Sequence, residues 1–138
     1  FLYPTASSSA PTAVASGTDA GTAVYNNVSP VPAIVDSAGG LSPYGTMGQG
    51  GNVREWNESA FDGSNSSSSE DRAGRGGSWW GTGFGLRSSN RNDGGTDPSD
   101  EDFFLGFRVA SVPEPSTYAL LLMAGAGWLL WKRRKASL

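Results

Sequence analysis

Apolar residues in this chain come in short runs broken by glycine, serine and proline. In residues 1–43 the runs Thr22–Tyr25 and Val31–Val35 are too short to repeat at helical spacing, and Pro30, Pro32 and Pro43 interrupt any helix. The pattern predicts irregular backbone there, with one short strand at Ala23–Tyr25. Residues 57–71, containing SNSSSSE, are too hydrophilic to bury and predict an exposed, mobile loop. Order is expected to return in residues 75–91, RGGSWWGTGFGLRSSNR. Gly76 and Gly77 permit close backbone approach, Trp79 and Trp80 can each bury a large ring, and Phe84, Leu86 and Arg87 are expected in short extended segments. FFLGFRVA at residues 103–110 is the last strand-like run of the body. Its one charge, Arg108, predicts pairing with a carboxylate or carbonyls, and an acid of the central stretch is the expected partner.

That central stretch is residues 44–56, YGTMGQGGNVREW. Gly48, Gly50 and Gly51 ahead of Asn52 allow a tight or left-handed turn leading into a short ordered segment. Such a turn would aim backbone carbonyls and the Glu55 carboxylate at one point, the oxygen cluster a hard cation such as calcium accepts. The residues equally fit a plain glycine-rich loop ending in a strand whose Trp56 is core. A second run of acids, Asp97, Asp100, Glu101 and Asp102, lacks the spacing and the glycine of a calcium-binding EF-hand loop and reads as a solvated charge run.

Composition narrows the chemistry. The 138 residues include 20 glycines and 5 tryptophans, so loops dominate while something is still packed. Cysteine and histidine are both absent, which removes thiol nucleophiles, disulfides, thiolate and imidazole metal sites and histidine acid–base chemistry from this chain. The net charge of −3 hides an asymmetry. Residues 1–112 carry 6 arginines against 12 acids, whereas residues 113–138 carry 4 basic residues and Glu114. An acidic body argues against nucleic acid as a partner. Asn27, Asn57 and Asn65 each begin an Asn-x-Ser triplet, which a serine-rich chain produces by chance. No secretory leader is visible ahead of Phe1, and the expectation is that the chain is the C-terminal piece of something longer.

The tail is a separate unit by composition. Val112, Pro113, Glu114, Pro115 and Ser116 form an extended spacer, Thr117–Trp131 carries no charge, and Lys132, Arg133, Arg134 and Lys135 follow. A helix over 117–131 would be about 22 Å long, short of a hydrocarbon core of about 30 Å, so spanning needs local thinning or snorkelling. Trp128 and Trp131 beside the basic cluster, with Tyr118 at the other end, have the character of interface anchors. Basic residues favour the cytoplasmic side, which places residues 1–112 outside.

Two resemblances follow from these residues. VPEPS at 112–116, the short apolar segment and KRRK at 132–135 together resemble the PEP-CTERM sorting signal of bacterial envelope proteins. That resemblance implies export, an inner-membrane stage, and processing by an exosortase-type enzyme, with release to the surface if the tail is cleaved. SPYG at 42–45, GGNVREW at 50–56, RGGSWW at 75–80, LRSSNR at 86–91 and LGFRVAS at 105–111 resemble, in order, the C-terminal half of the formylglycine-generating enzyme (sulfatase-modifying factor) domain.

The fold this second resemblance implies is α+β, an irregular C-type-lectin-like domain low in regular secondary structure, here followed by a C-terminal hydrophobic helix. It divides the chain into a partial domain, 1–111, and a sorting and anchor segment, 112–138. It also implies a structural calcium site built from the carbonyls of Gly51 and Val53 and the carboxylate of Glu55. A fourth ligand would be an Asn or Asp side chain at position 48, where this chain has glycine. The oxidases of the family hold copper on cysteines shortly after the GGS block; this region reads WWGTGFGLR, so no copper and no formylglycine formation are expected. Catalytic residues are therefore expected to be none. The function expected is a non-catalytic exported envelope module with extracellular polysaccharide as its ligand class. The alternative is a metal-dependent oxidoreductase of the same superfamily whose ligands precede this chain.

Overall fold

A computed structural model describes residues 1–91, 95–109 and 132. The chain divides into a compact unit, Phe1–Arg108, and a second, Val109–Leu138. The expected helix over 117–131 lies outside the described residues, as do the motif residues 112–116 and the anchors Tyr118, Trp128, Trp131, Arg133, Arg134 and Lys135. Lys132 is helical and exposed. Among the described residues no helix is long and apolar enough to cross a membrane.

The first unit is held by short strands and many turns. Strand β1 (Thr12–Ala13) pairs in parallel with β2 (Thr22–Ala23). A single turn of 3-10 helix covers Val35–Ser37. Three further strands, β3 (Arg54–Ala60), β4 (Arg72–Arg75) and β5 (Leu105–Gly106), form a sheet in the order β4-β3-β5. β4 runs antiparallel and β5 parallel to the central β3. The expected strand at Ala23–Tyr25 starts one residue early and gives way to an isolated bridge between Val24 and Gly51, which ties the first half of the unit to the central stretch.

Glycine makes that bridge close. At Gly51, with φ of 80°, a Cβ would run into the backbone of Val24. Its N–H donates to Gly76 O at 2.7 Å, so one glycine touches chain segments from both sides. No side chain would fit there, and few would accept the backbone angle.

The core is small. Tyr3, Ala23, Tyr25 and Leu86 form its cluster, and Leu86 is 1% exposed. Burying a leucine to that degree contributes about 1.5–3 kcal/mol relative to leaving it in water. Tyr25 keeps its buried hydroxyl satisfied by donating to Pro11 O at 2.6 Å. Leu86 reaches the cluster from a run of turns, because Gly77 lets residues 85–86 approach so closely that a Cβ on it would sit 3.0 Å from Leu86 Cδ1.

The sheet departs from the sequence pattern in four places. Residues 57–60, expected in a loop, extend β3, and after an irregular stretch in the register Ala60 pairs with Arg72. Phe84, Leu86 and Arg87 lie in turns, since glycines at 81, 83 and 85 favour tight bends over extended backbone. Trp79 is buried as expected, but Trp80 is 60% exposed and meets it edge-on, with ring centroids 5.4 Å apart. Among the described residues of the strand expected over 103–110, Leu105 and Gly106 form β5.

Arginines do the work that longer strands would otherwise do. Arg75 donates to the carbonyls of Ser88 and Asn90, Arg91 to that of Ala60, and Arg72 to those of Glu58, Ser67 and Ser68. The guanidinium presents its donors in a fixed fork, so it can gather loop carbonyls that have no strand partner.

Candidate functional site

The central stretch turns twice before it enters β3. Ser42 N–H donates to Thr46 O at 2.8 Å and Gly45 N–H to Ser42 O at 2.9 Å, closing the first turn. Gly48, at φ of 67°, begins the second. Asn52 completes it at φ of 60°, a left-handed position that asparagine tolerates better than most residues.

Asn52 is the hub of this region. Its buried side chain accepts from Ala33 N–H at 2.7 Å and donates back to Ala33 O at 3.1 Å. Its own N–H donates to Val24 O, and its carbonyl accepts from Trp79 N–H, each at 2.7 Å. One residue therefore joins four segments. A lone asparagine after two glycines was the available sequence signal, because that context favours positive φ; nothing in it names Ala33 or Trp79.

Glu55 follows in the ordered strand. It stands opposite Arg75 on β4 and opposite Gly106 on β5. Arg108 lies two positions beyond Gly106, past the end of β5, and its side chain reaches Glu55. Arg108 Nε donates to Glu55 Oε1 at 2.9 Å, and Nη2 pairs with the same oxygen. Nη1 donates to Met47 O at 2.9 Å and Nη2 to Gly48 O at 3.2 Å. The acid of the central stretch expected to pair with Arg108 is thus Glu55.

Of the expected calcium ligands, Gly51 is buried, Val53 is half-buried beside Gly106, and Glu55 is engaged by Arg108. The Arg108 hydrogen bonds run to Met47, Gly48 and Glu55 and not to the carbonyls of Gly51 or Val53. A Cβ at Gly48 would meet Ala38 Cβ at 3.5 Å and Arg108 Nη2 at 3.7 Å. A guanidinium therefore holds Oε1 of Glu55 and bounds the space at position 48, and with that positive charge in place the residues do not fit a calcium ion as they stand. Among the described residues no group of three or more His, Cys, Asp or Glu could hold a metal.

Two concavities lie near this sheet. A polar pocket of about 110 Å³ is lined by Arg54, Ser78, Thr82, Asn90 and neighbouring glycines. It has room for a few waters. A wider groove of about 360 Å³ is lined by Trp56 of β3, by Leu105 and Phe107 at β5, and by Asp100, Glu101 and Asp102. The acids stand out in the sequence, but nothing there joins them to Trp56 and Phe107, which come together only through the parallel pairing of β3 with β5.

The acids beyond the groove serve local structure. Asp97 is held below the usual aspartate range by the Ser99 hydroxyl and then the Ser99 amide, the latter at 2.8 Å. Glu70 is lowered by the Ser66 hydroxyl, with the Ser66 amide and the Ser64 hydroxyl adding to it. Asp62 is lowered first by the Ser64 amide. These are turn-forming contacts of exposed serine-rich loops.

Comparison with protein families gives two matches. Residues 4–112 match the sulfatase-modifying factor enzyme 1-like domain, and residues 111–135 match the PEP-CTERM protein-sorting motif. The sorting motif marks an exported, envelope-sorted protein and implies recognition by an exosortase-type processing enzyme. Comparison with curated proteins and with solved structures gives no match.

Proposed function

The chain belongs to the sulfatase-modifying factor enzyme 1-like family, and on that premise we propose that it is a non-catalytic, exported envelope module that binds extracellular polysaccharide. The scaffold is the C-type-lectin-like arrangement the family implies, used here without the thiols of its oxidases. The tail holds residues 1–112 outside the inner membrane, with the basic cluster in the cytoplasm, until an exosortase-type enzyme acts on it.

The groove at β5 carries the ligand part of this reading. Its volume of about 360 Å³ falls within the range of small-ligand sites. A sugar ring has an apolar C–H face and an edge of hydroxyl donors. Trp56 and Phe107, the latter 81% exposed, supply flat apolar surface for the face. The carboxylates of Asp100, Glu101 and Asp102 accept hydrogen bonds and donate none, and can take them from the edge. The same carboxylates repel uronate-rich polymers, so the ligand class is neutral polysaccharide.

The test is titration of the exported domain with neutral and with uronic-acid oligosaccharides, followed by tryptophan fluorescence. Neutral oligosaccharides are expected to bind and Phe107→Ala to weaken them at least about tenfold, the loss of one aromatic contact. Absence of binding to every glycan on an array, with and without calcium, would remove the glycan reading. Binding that Phe107→Ala leaves unchanged would remove the groove from it.

A further inference from the structure

We infer that Arg108 stands in this chain where the central loop would otherwise gather around a bound cation. The loop closes on the arginine's own charge and needs no calcium. The observation is the convergence of oxygen atoms on one guanidinium: the carbonyls of Met47 and Gly48 and the carboxylate of Glu55 all face it. All three of its nitrogens are used. A carboxylate and backbone carbonyls brought to one positive centre form the oxygen set that a hard cation collects. Here the positive centre is covalently part of the chain.

Charge balance favours the arginine. Glu55 and Arg108 neutralise each other as an ion pair. A calcium ion added at the same carboxylate would face the guanidinium at close range with no further anion to offset it, because no acidic or ligating cluster is present there among the described residues. Moving the guanidinium away to admit the ion would strip Met47 and Gly48 of their donor.

Position 48 carries the same message in steric form. A Cβ there already lies 3.7 Å from Arg108 Nη2 and 3.5 Å from Ala38 Cβ. An aspartate or asparagine side chain would have to grow into a space bounded by these groups. Glycine at 48 and arginine at 108 are therefore two halves of one arrangement. The glycine leaves the room, and the arginine fills it with charge.

The consequence is a domain whose central loop keeps its shape in media that chelate divalent ions. The experiment uses the full chain in calcium and in chelator, followed by thermal melting and by tryptophan-sensitised terbium luminescence, for which Trp56 is the neighbouring donor. The parent chain is expected to show the same Tm in both conditions and no sensitised emission from this loop. A calcium-dependent rise in Tm that Glu55→Gln abolishes would overturn the inference.

The complementary arm restores a cation site. In the double variant Gly48→Asp with Arg108→Gln, the guanidinium is removed and an oxygen ligand is supplied at a left-handed position that aspartate accepts. This variant is expected to gain a Tm rise of about 10 °C at calcium a hundredfold above its Kd, and to lose it when Glu55→Gln is added. A folded double variant that gives no calcium response overturns the claim that the guanidinium occupies the cation's place. Should that variant fail to fold, Arg108→Gln alone is read by the same terbium signal, and the parent chain's response to chelator remains decisive.

Discussion

Arg108 and Glu55, 53 positions apart in sequence, meet in an ion pair whose guanidinium also holds the carbonyls of Met47 and Gly48. The pair ties the last strand of the domain to the loop that precedes its central one. Its side chains are 34% and 23% exposed, so solvent screens part of its Coulomb energy. Arg108→Ala is expected to lower unfolding free energy by about 1–2 kcal/mol, measured by urea denaturation. Arg108→Lys should recover less than half of that, because an ammonium cannot reproduce the fork. Glu55→Gln keeps an acceptor and should cost less, while reducing the salt dependence of the stability. Full recovery by lysine would show that charge alone matters and contradict the carbonyl contacts.

Asn52 separates a side-chain effect from a backbone effect. Asn52→Gly keeps the positive φ and removes the two bonds to Ala33, with an expected cost of about 1–3 kcal/mol. Asn52→Ala adds the left-handed penalty of about 1–2 kcal/mol on top. The order parent, glycine, alanine in denaturation midpoint is the outcome to look for. Alanine equal to glycine would mean that the backbone angle is not held in solution.

Two glycines test close approach against backbone angle. Gly45 has φ of 75°, and a Cβ added there would meet nothing within 4 Å, so Gly45→Ala should cost only the conformational penalty of about 1 kcal/mol. Gly51 has a similar φ of 80° but meets Val24, so Gly51→Ala should cost at least about 3 kcal/mol or abolish folding. Circular dichroism melts of the two variants, run together, give the comparison. Equal losses would refute the tight Val24 contact.

Glu70 gives a pH dependence with a definite sign. The Ser66 hydroxyl, followed by its amide, holds the folded carboxyl below its ordinary value of 4.5, so the loop is favoured while Glu70 is ionised. The favourable effect is fully present above 4.5 and is lost as pH falls through the lowered folded value. The Ser66 amide resonance in NMR should therefore titrate with a midpoint below 4.5, and Ser66→Ala should move Glu70 back upward. A midpoint at or above the ordinary value would exclude the contact in solution.

These residues also mark how far the sequence could be read. The low content of regular structure followed from glycine, serine and proline breaking up the apolar runs, and the strands among the described residues are short. Pairing of Arg108 with an acid of residues 44–56 was legible, because one charge in an apolar run needs a partner. The length of β3 was not, since Asn57, Glu58 and Ser59 carry no apolar alternation and are carried along as strand between the β4 pairings at Trp56 and Ala60. Trp79 and Trp80 read alike as neighbours, yet which ring goes inside depends on a turn that places Trp79 N–H on Asn52 O. The groove was invisible for a related reason. Trp56 and Phe107 are 51 positions apart in sequence and share a wall only through the parallel register of Glu55 with Gly106.

That parallel register sets an order of events. β5 is the last strand of the domain and lies against β3, and Arg108 comes two residues after it. When a chain is delivered N-terminus first, β4 can cover one edge of β3 while the other stays bare, and a bare edge is open to unwanted pairing. It stays so until residues 105–108 have crossed. The sorting motif begins at residue 111, immediately behind them. Closure of the sheet and arrival of the sorting motif are thus consecutive steps of one passage.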